Sequence, residues 1–103
     1  MALVARIGRY DGDPQRIEEG TRFLSDNDVS GMAGNRGAVA LVDRATGRVM
    51  TITFWDSDQA VSGTAEAAAA LRDQIAKAFG AASAAPAETY EVLPMSRFPA
   101  SAQ

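Results

Sequence analysis

The chain contains no cysteine and no histidine. Without cysteine there is no disulfide, no thiol nucleophile and no zinc–thiolate site. Without histidine the usual general base near neutral pH is missing, and so is the commonest metal and haem ligand. The expectation is a protein that works with no metal and no cofactor. Basic charge is also in short supply. Ten Lys and Arg against thirteen Asp and Glu leave a net charge of −3. The basic residues are scattered along the chain, whereas binding nucleic acid needs a clustered basic face. Long apolar runs are absent too. No stretch approaches the ~20 residues needed to span a bilayer. Arg6 and Arg9 interrupt the apolar start, so no signal peptide is expected there. These readings imply no nucleic-acid partner, no membrane and a cytoplasmic location.

What is present suits one folded domain. A chain of 103 residues that is 47% hydrophobic and 22% charged matches an ordinary globular protein rather than a disordered one. We expect the domain over residues 1–98 and a loose tail at 99–103. Residues 3–10 alternate as a strand, with Val4, Arg6, Gly8 and Tyr10 on one face and Ala5 and Ile7 on the other. Asp13-Pro14 is a cap followed by a favourable first helical residue. Ile17, Phe23 and Leu24 then give a helix its apolar stripe. Turn formers from Ser25 to Gly34 predict a long loop.

Residues 38–43 and 49–55 read as a strand pair joined by a hairpin, in which Gly47 suits a positive φ. Ser57 caps a second helix, on which Val61, Ala65, Ala68, Leu71, Ile75 and Phe79 share a face. An Ala/Ser/Pro linker over 81–87 precedes a last strand at 89–95, whose end Pro94 weakens. The order β-α-β-β-α-β is the ferredoxin-like α+β arrangement. Helices cover one face of such a sheet. The other face also carries apolar side chains, which predicts a homodimer with sheets packed face to face, a dimeric α+β barrel.

The segment Phe54-Trp55-Asp56-Ser57-Asp58-Gln59-Ala60 resembles the W-[DE]-S-x-x-A element of the antibiotic-biosynthesis-monooxygenase family. Gly34-Asn35-Arg36-Gly37-Ala38 is similar to that family's G-x-x-G-A lead into the second strand. Residues 42–48 resemble the hairpin of a small actinobacterial branch. The resemblance implies a ligand cavity between helices and sheet. It also implies oxidation of phenols to quinones by molecular oxygen with no bound cofactor. Some members carry an Asn four residues before the Trp and a Tyr six residues after it; Thr51 and Val61 stand at those positions. The haem-degrading branch needs a helical His, which this chain lacks.

The candidate catalytic residues are Trp55, Arg6 and Arg72, with Thr51, Asn35 and Tyr90 as candidate substrate contacts. Trp55 is either an indole donor and flat wall for an aromatic ligand or a packing residue at the sheet–helix junction. Arg6 either holds a phenolate or carboxylate or pairs with a strand neighbour. Arg72 either orients a substrate oxygen or lies on a solvated helix edge beside Glu66 and Asp73. Asn35 and Tyr90 have simple explanations as turn and strand residues. Asp56 and Asp58 fit helix capping better than base catalysis. The functional expectation is a cofactor-independent monooxygenase acting on a small aromatic or polyketide-like compound. The alternative is a non-catalytic binding or interaction module on the same dimer, with an isomerase or lyase as a third reading.

Overall fold

The computed structural model describes residues 3–27 and 29–95. The expected tail at 99–103 and the domain limit at residue 98 lie outside them. Strand β1 (Val4–Asp11) is followed by a 3-10 turn (Pro14–Arg16), helix α1 (Ile17–Asp26), β2 (Asn35–Val42) and β3 (Arg48–Trp55). Helices α2 (Asp58–Gly63) and α3 (Ala65–Ala78) and strand β4 (Glu88–Glu91) complete the order. The sheet is antiparallel throughout, in spatial order β2-β3-β1-β4. This is the ferredoxin-like α+β arrangement expected from the sequence.

Local chemistry explains where the elements start. The Asp13 side chain accepts from the Gln15 amide, and Ser57 accepts from the Ala60 amide. Each satisfies a donor that the first helical turn leaves without a partner. The β2–β3 hairpin closes through Asp43, which accepts from the Ala45 amide at 3.0 Å, while Gly47 takes φ +85°. Strand β4 is shorter than expected. Beyond Glu91 only the Val92 amide continues the pairing, to the Leu3 carbonyl, before Pro94 removes the next donor.

The second helix differs from the continuous one expected. It breaks at Thr64, whose backbone leaves helical geometry at φ −109°, ψ 10°. The Thr64 hydroxyl donates back to the Ala60 carbonyl at 2.8 Å, closing the end of α2. Ser and Thr hydroxyls compete with the helical ladder in this way. Ala65, just past the break, is exposed, although the sequence had put it on the apolar stripe.

The core lies between helices and sheet. Tyr10, Ile17, Val49, Ile75, Ala76 and Phe79 are buried together. Phe79 is wholly buried, and its ring fills the space that Gly20 leaves open on α1. The register puts Arg6 beside Thr53, Gly8 beside Thr51 and Tyr10 beside Val49, all on the helix-facing side. Ile7, Ile52 and Leu41 fall on the opposite face. Among the described residues, no helix is long and apolar enough to cross a membrane.

Candidate functional site

A cavity of about 340 Å³ lies between the sheet and the helices. Its size falls at the lower end of small-molecule sites. Leu24, Leu71 and Ile75 come to it from the helices, and Val29 and Met32 from the loop after α1. The sheet contributes Arg6, Gly8, Tyr10, Thr51, Thr53 and Trp55, and Arg72 enters from α3. No Asp or Glu lines the cavity among the described residues.

Arg6 is the anchor of this wall. It stands on a central strand and is only 7% exposed. Its Nη2 donates to the Val61 carbonyl and to the Thr64 hydroxyl at 3.1 Å, both at the α2–α3 break. Its Cζ lies 4.9 Å from the centroid of the Trp55 ring, within the range of a cation–π contact. Nη1 is buried and has no hydrogen-bond partner. Among the described residues no carboxylate pairs with Arg6. Burial, and then the charge of Arg72, push its guanidinium below the usual arginine range. An arginine stays charged through such shifts.

Trp55 is fully buried, and its indole Nε1 donates to the Thr53 hydroxyl at 2.8 Å. The indole N–H is therefore already engaged and is not a free donor. Arg72 is half-buried and forms no ion pair with Glu66 or Asp73. Its Cδ, the Thr51 Oγ1 and the Tyr10 hydroxyl all crowd Gly8. They lie 3.3, 2.9 and 2.8 Å from where a Gly8 Cβ would stand.

Four of the six residues singled out in the sequence therefore share this cavity: Arg6, Thr51, Trp55 and Arg72. The other two do not reach it. Asn35 shapes the start of β2, donating to the Gly37 and Phe54 carbonyls at 3.3 Å across a bulge. Tyr90 pairs with Ala5 on the opposite sheet face, is 51% exposed, and donates to Glu88 at 2.6 Å. Both were expected to contact substrate, and strand parity and turn chemistry put them elsewhere.

The sequence reading missed Tyr10. This side chain is 3% exposed and lines the cavity, and its hydroxyl is buried close to that of Thr51. Its parity with Arg6 on β1 was the available signal. Burial pushes the Tyr10 phenol above its ordinary value. The nearby Thr51 hydroxyl and the Arg72 charge oppose this only in part. A raised tyrosine value means that the unfolded chain loses its proton first. Stability should hold below the unfolded value of about 10 and fall as pH rises above it. Denaturant melts between pH 9 and 11.5 should show a shallower fall for Tyr10→Phe than for the wild type; parallel curves would refute this assignment.

No protein-family model matches the sequence, and no curated protein matches it. Solved structures do match its fold. A Bordetella bronchiseptica structure assigned to the antibiotic biosynthesis monooxygenases is 11% identical. Its TM-score is 0.70, with 91% of this chain and 100% of that chain covered. A monooxygenase from the gene ActVA-Orf6 of Streptomyces coelicolor, in complex with Nanaomycin D, is 16% identical. Its TM-score is 0.66, over 97% and 94% of the two chains. SnoaB, a cofactor-independent oxygenase from Streptomyces nogalater, is 17% identical at a TM-score of 0.59, over 96% and 99%. The chain thus shares the fold of these three solved structures along nearly its whole length.

Proposed function

We propose that this chain is a cofactor-independent monooxygenase, working as a cytoplasmic homodimer on a small aromatic or polyketide-like phenol taken as its anion. The charge of the cavity carries this reading: among the described residues it is lined by two guanidinium groups, no carboxylate, and largely apolar side chains. A nearby cation favours the ionised form of a bound phenol. The phenolate then supplies the electrons that reduce dioxygen. At a ring carbon bearing two hydrogens in the keto form, one oxygen atom enters as a carbonyl. The other leaves with the two hydrogens as water, so no external reductant is needed. Trp55 walls the ligand, Arg6 and Arg72 hold its anionic oxygen, and Thr51 supplies a hydroxyl. Pre-set charges in a dry pocket cost no reorganisation during reaction. The two Streptomyces oxygenases of the same fold support the assignment.

Oxygen uptake with a panel of reduced polycyclic phenols, chelator present, tests this reading. Saturable uptake that drops in Trp55→Phe is expected. Uptake no faster than the spontaneous rate across the panel would sink the catalytic reading. One observation favours the binding module as the second reading. The indole N–H is committed to Thr53, and Thr51 and Val61 stand where the resemblance leads one to look for Asn and Tyr. A binding module would show thermal stabilisation, about 2.7 kcal/mol at a hundredfold excess over Kd, without oxygen consumption.

The homodimer rests on the uncovered sheet face. Leu41 is 54% exposed there, and Ile7, Met50, Ile52 and Phe54 are half-buried. Two-fold pairing of such faces would bury them in a standard way. Light scattering should give twice the mass of the chain at micromolar concentration, and Ile52→Lys should shift it to monomer. A wild-type monomer would end this part of the proposal.

A further inference from the structure

The sheet has two edges, and they are not alike. Strand β4 is short, carries Glu88 and Glu91, and is soon followed by Pro94. Brevity, charge and proline are the usual means of blocking an edge against added strands. Strand β2, at the other edge, has none of these between Ala38 and Val42, and its bulge stands earlier, between Asn35 and Gly37. The phase of the ladder shows which backbone groups of β2 are free. The Asp43 amide donates to the Arg48 carbonyl at 2.9 Å, and the register runs unbroken from Val42 back to Ala38. Bonded and non-bonded pairs alternate along an antiparallel ladder. Leu41 and Val39 therefore bond to β3, while the N–H and C=O of Ala38, Ala40 and Val42 point outward. Among the described residues nothing takes up those of Ala38 and Ala40. The same two alanines stand at the cavity. They pair with Thr53 and Thr51, so their side chains face the helices, yet both are exposed. The helix layer stops short of β2, and the cavity opens there. Ala38, Val39 and Ala40 line it in succession. One face of a strand shows only alternate residues, so the strand's edge also borders the opening.

We propose that the β2 edge docks an extended acidic segment of another protein, which adds to the sheet as a strand and places one phenylalanine side chain in the mouth of the cavity. Main-chain pairing supplies the affinity of such a contact, and a side-chain pocket supplies its specificity. Antiparallel pairing is the more stable per residue. Directly opposed residues share a face of the sheet. The residue opposite Ala40 therefore projects to the helix side, into the mouth. Leu24, Val29 and Met32 line the cavity beyond it, and a methionine sulfur suits the edge of an aromatic ring. Arg36 is exposed near the start of β2 and forms no ion pair among the described residues. It selects an acidic residue toward the C-terminal end of the added segment. The guanidinium groups of Arg6 and Arg72 favour the same charge. A second copy of β2 fits poorly. Its registers of greatest overlap set Ala38 or Ala40 opposite Ala40 and leave the mouth empty.

Fluorescence anisotropy with a labelled peptide, acetyl-Thr-Val-Phe-Thr-Thr-Ser-Glu-amide, tests this. Saturable binding with a Kd below about 1 mM is expected, and replacing the peptide's Phe by Ser should weaken it about tenfold. The Phe amide of the peptide faces β2, and the amide of the following Thr faces solvent. Methylating the first nitrogen should weaken binding by about tenfold or more, and methylating the second by no more than about threefold. Ala40→Pro removes an outward donor and no ladder bond. It should weaken the peptide about tenfold and leave the melting temperature near that of the wild type. Arg36→Glu should move the preference to a peptide with Lys in place of Glu. Absence of saturable binding, or equal loss from the two methylated peptides, would overturn the inference. So would a fall in the mass of the Ala40→Pro protein by light scattering, which would make this edge a contact between copies. Oxygen uptake with the phenol panel is a separate readout, so failure here leaves the proposed chemistry of the cavity as it stands.

Discussion

An Arg6→Met variant should fold and melt at or above the temperature of the wild type while losing roughly ten- to a hundredfold in affinity for an anionic aromatic. The two effects have opposite signs because the same residue causes them. Arg6 is a buried cation with no carboxylate partner among the described residues, and removing a charge from water costs several kcal/mol that attraction normally repays. Here the return comes from two hydrogen bonds and one aromatic face. Methionine keeps most of the packing and avoids the desolvation cost. The Val61 and Ala60 carbonyls remain within reach of the Thr64 hydroxyl, so the helix break keeps a donor. Chemical denaturation beside ligand titration separates the two effects. A variant that loses stability and binding in parallel would make Arg6 a structural residue only.

The largest effect on stability should come from Phe79. Its ring is fully buried against α1, where an ideal Cβ on Gly20 would lie 2.3 Å from ring atoms. Phe79→Ala should cost about 3–5 kcal/mol, a large fraction of the roughly 5–15 kcal/mol that holds a domain folded. The melting temperature should fall by more than about 12 °C. Gly20→Ala should also destabilise the wild type, by about 1–3 kcal/mol, because the methyl group has nowhere to go. In a Phe79→Leu background the same change should become neutral or favourable, since space opens and alanine is the better helix former. This reversal can be read from a double-mutant cycle. Additive costs would mean that the ring and Gly20 do not share a boundary.

Both residues show what could be read from the sequence. Phe79 was placed on the apolar stripe of the second helix, because a three-and-four spacing survives a local break. The break at Thr64 was not foreseen, since it depends on Arg6, fifty-eight residues away, taking up the carbonyl and hydroxyl there. Strand alternation put Arg6 and Tyr10 on one face, and Thr51 and Trp55 on one face of β3. Periodicity could not say that these two faces were the same one; that is decided by register between strands. Asn35 drew attention by its place before the second strand and Tyr90 by its phenol, and their local bonds account for them. Val29 and Met32 were lost in a stretch of turn formers, although two apolar residues in a polar loop mark something to cover.

The two arginines of the cavity, lined by no acidic side chain among the described residues, also bear on the resting protein. The positive field of Arg6 and Arg72 attracts anions from the surrounding solution. A ligand that binds there is expected to displace them. Apparent affinity should therefore fall as chloride or a carboxylate buffer is added, more steeply than surface screening alone predicts. On this expectation the cavity works as an anion exchanger, whose selectivity depends on what it must first release.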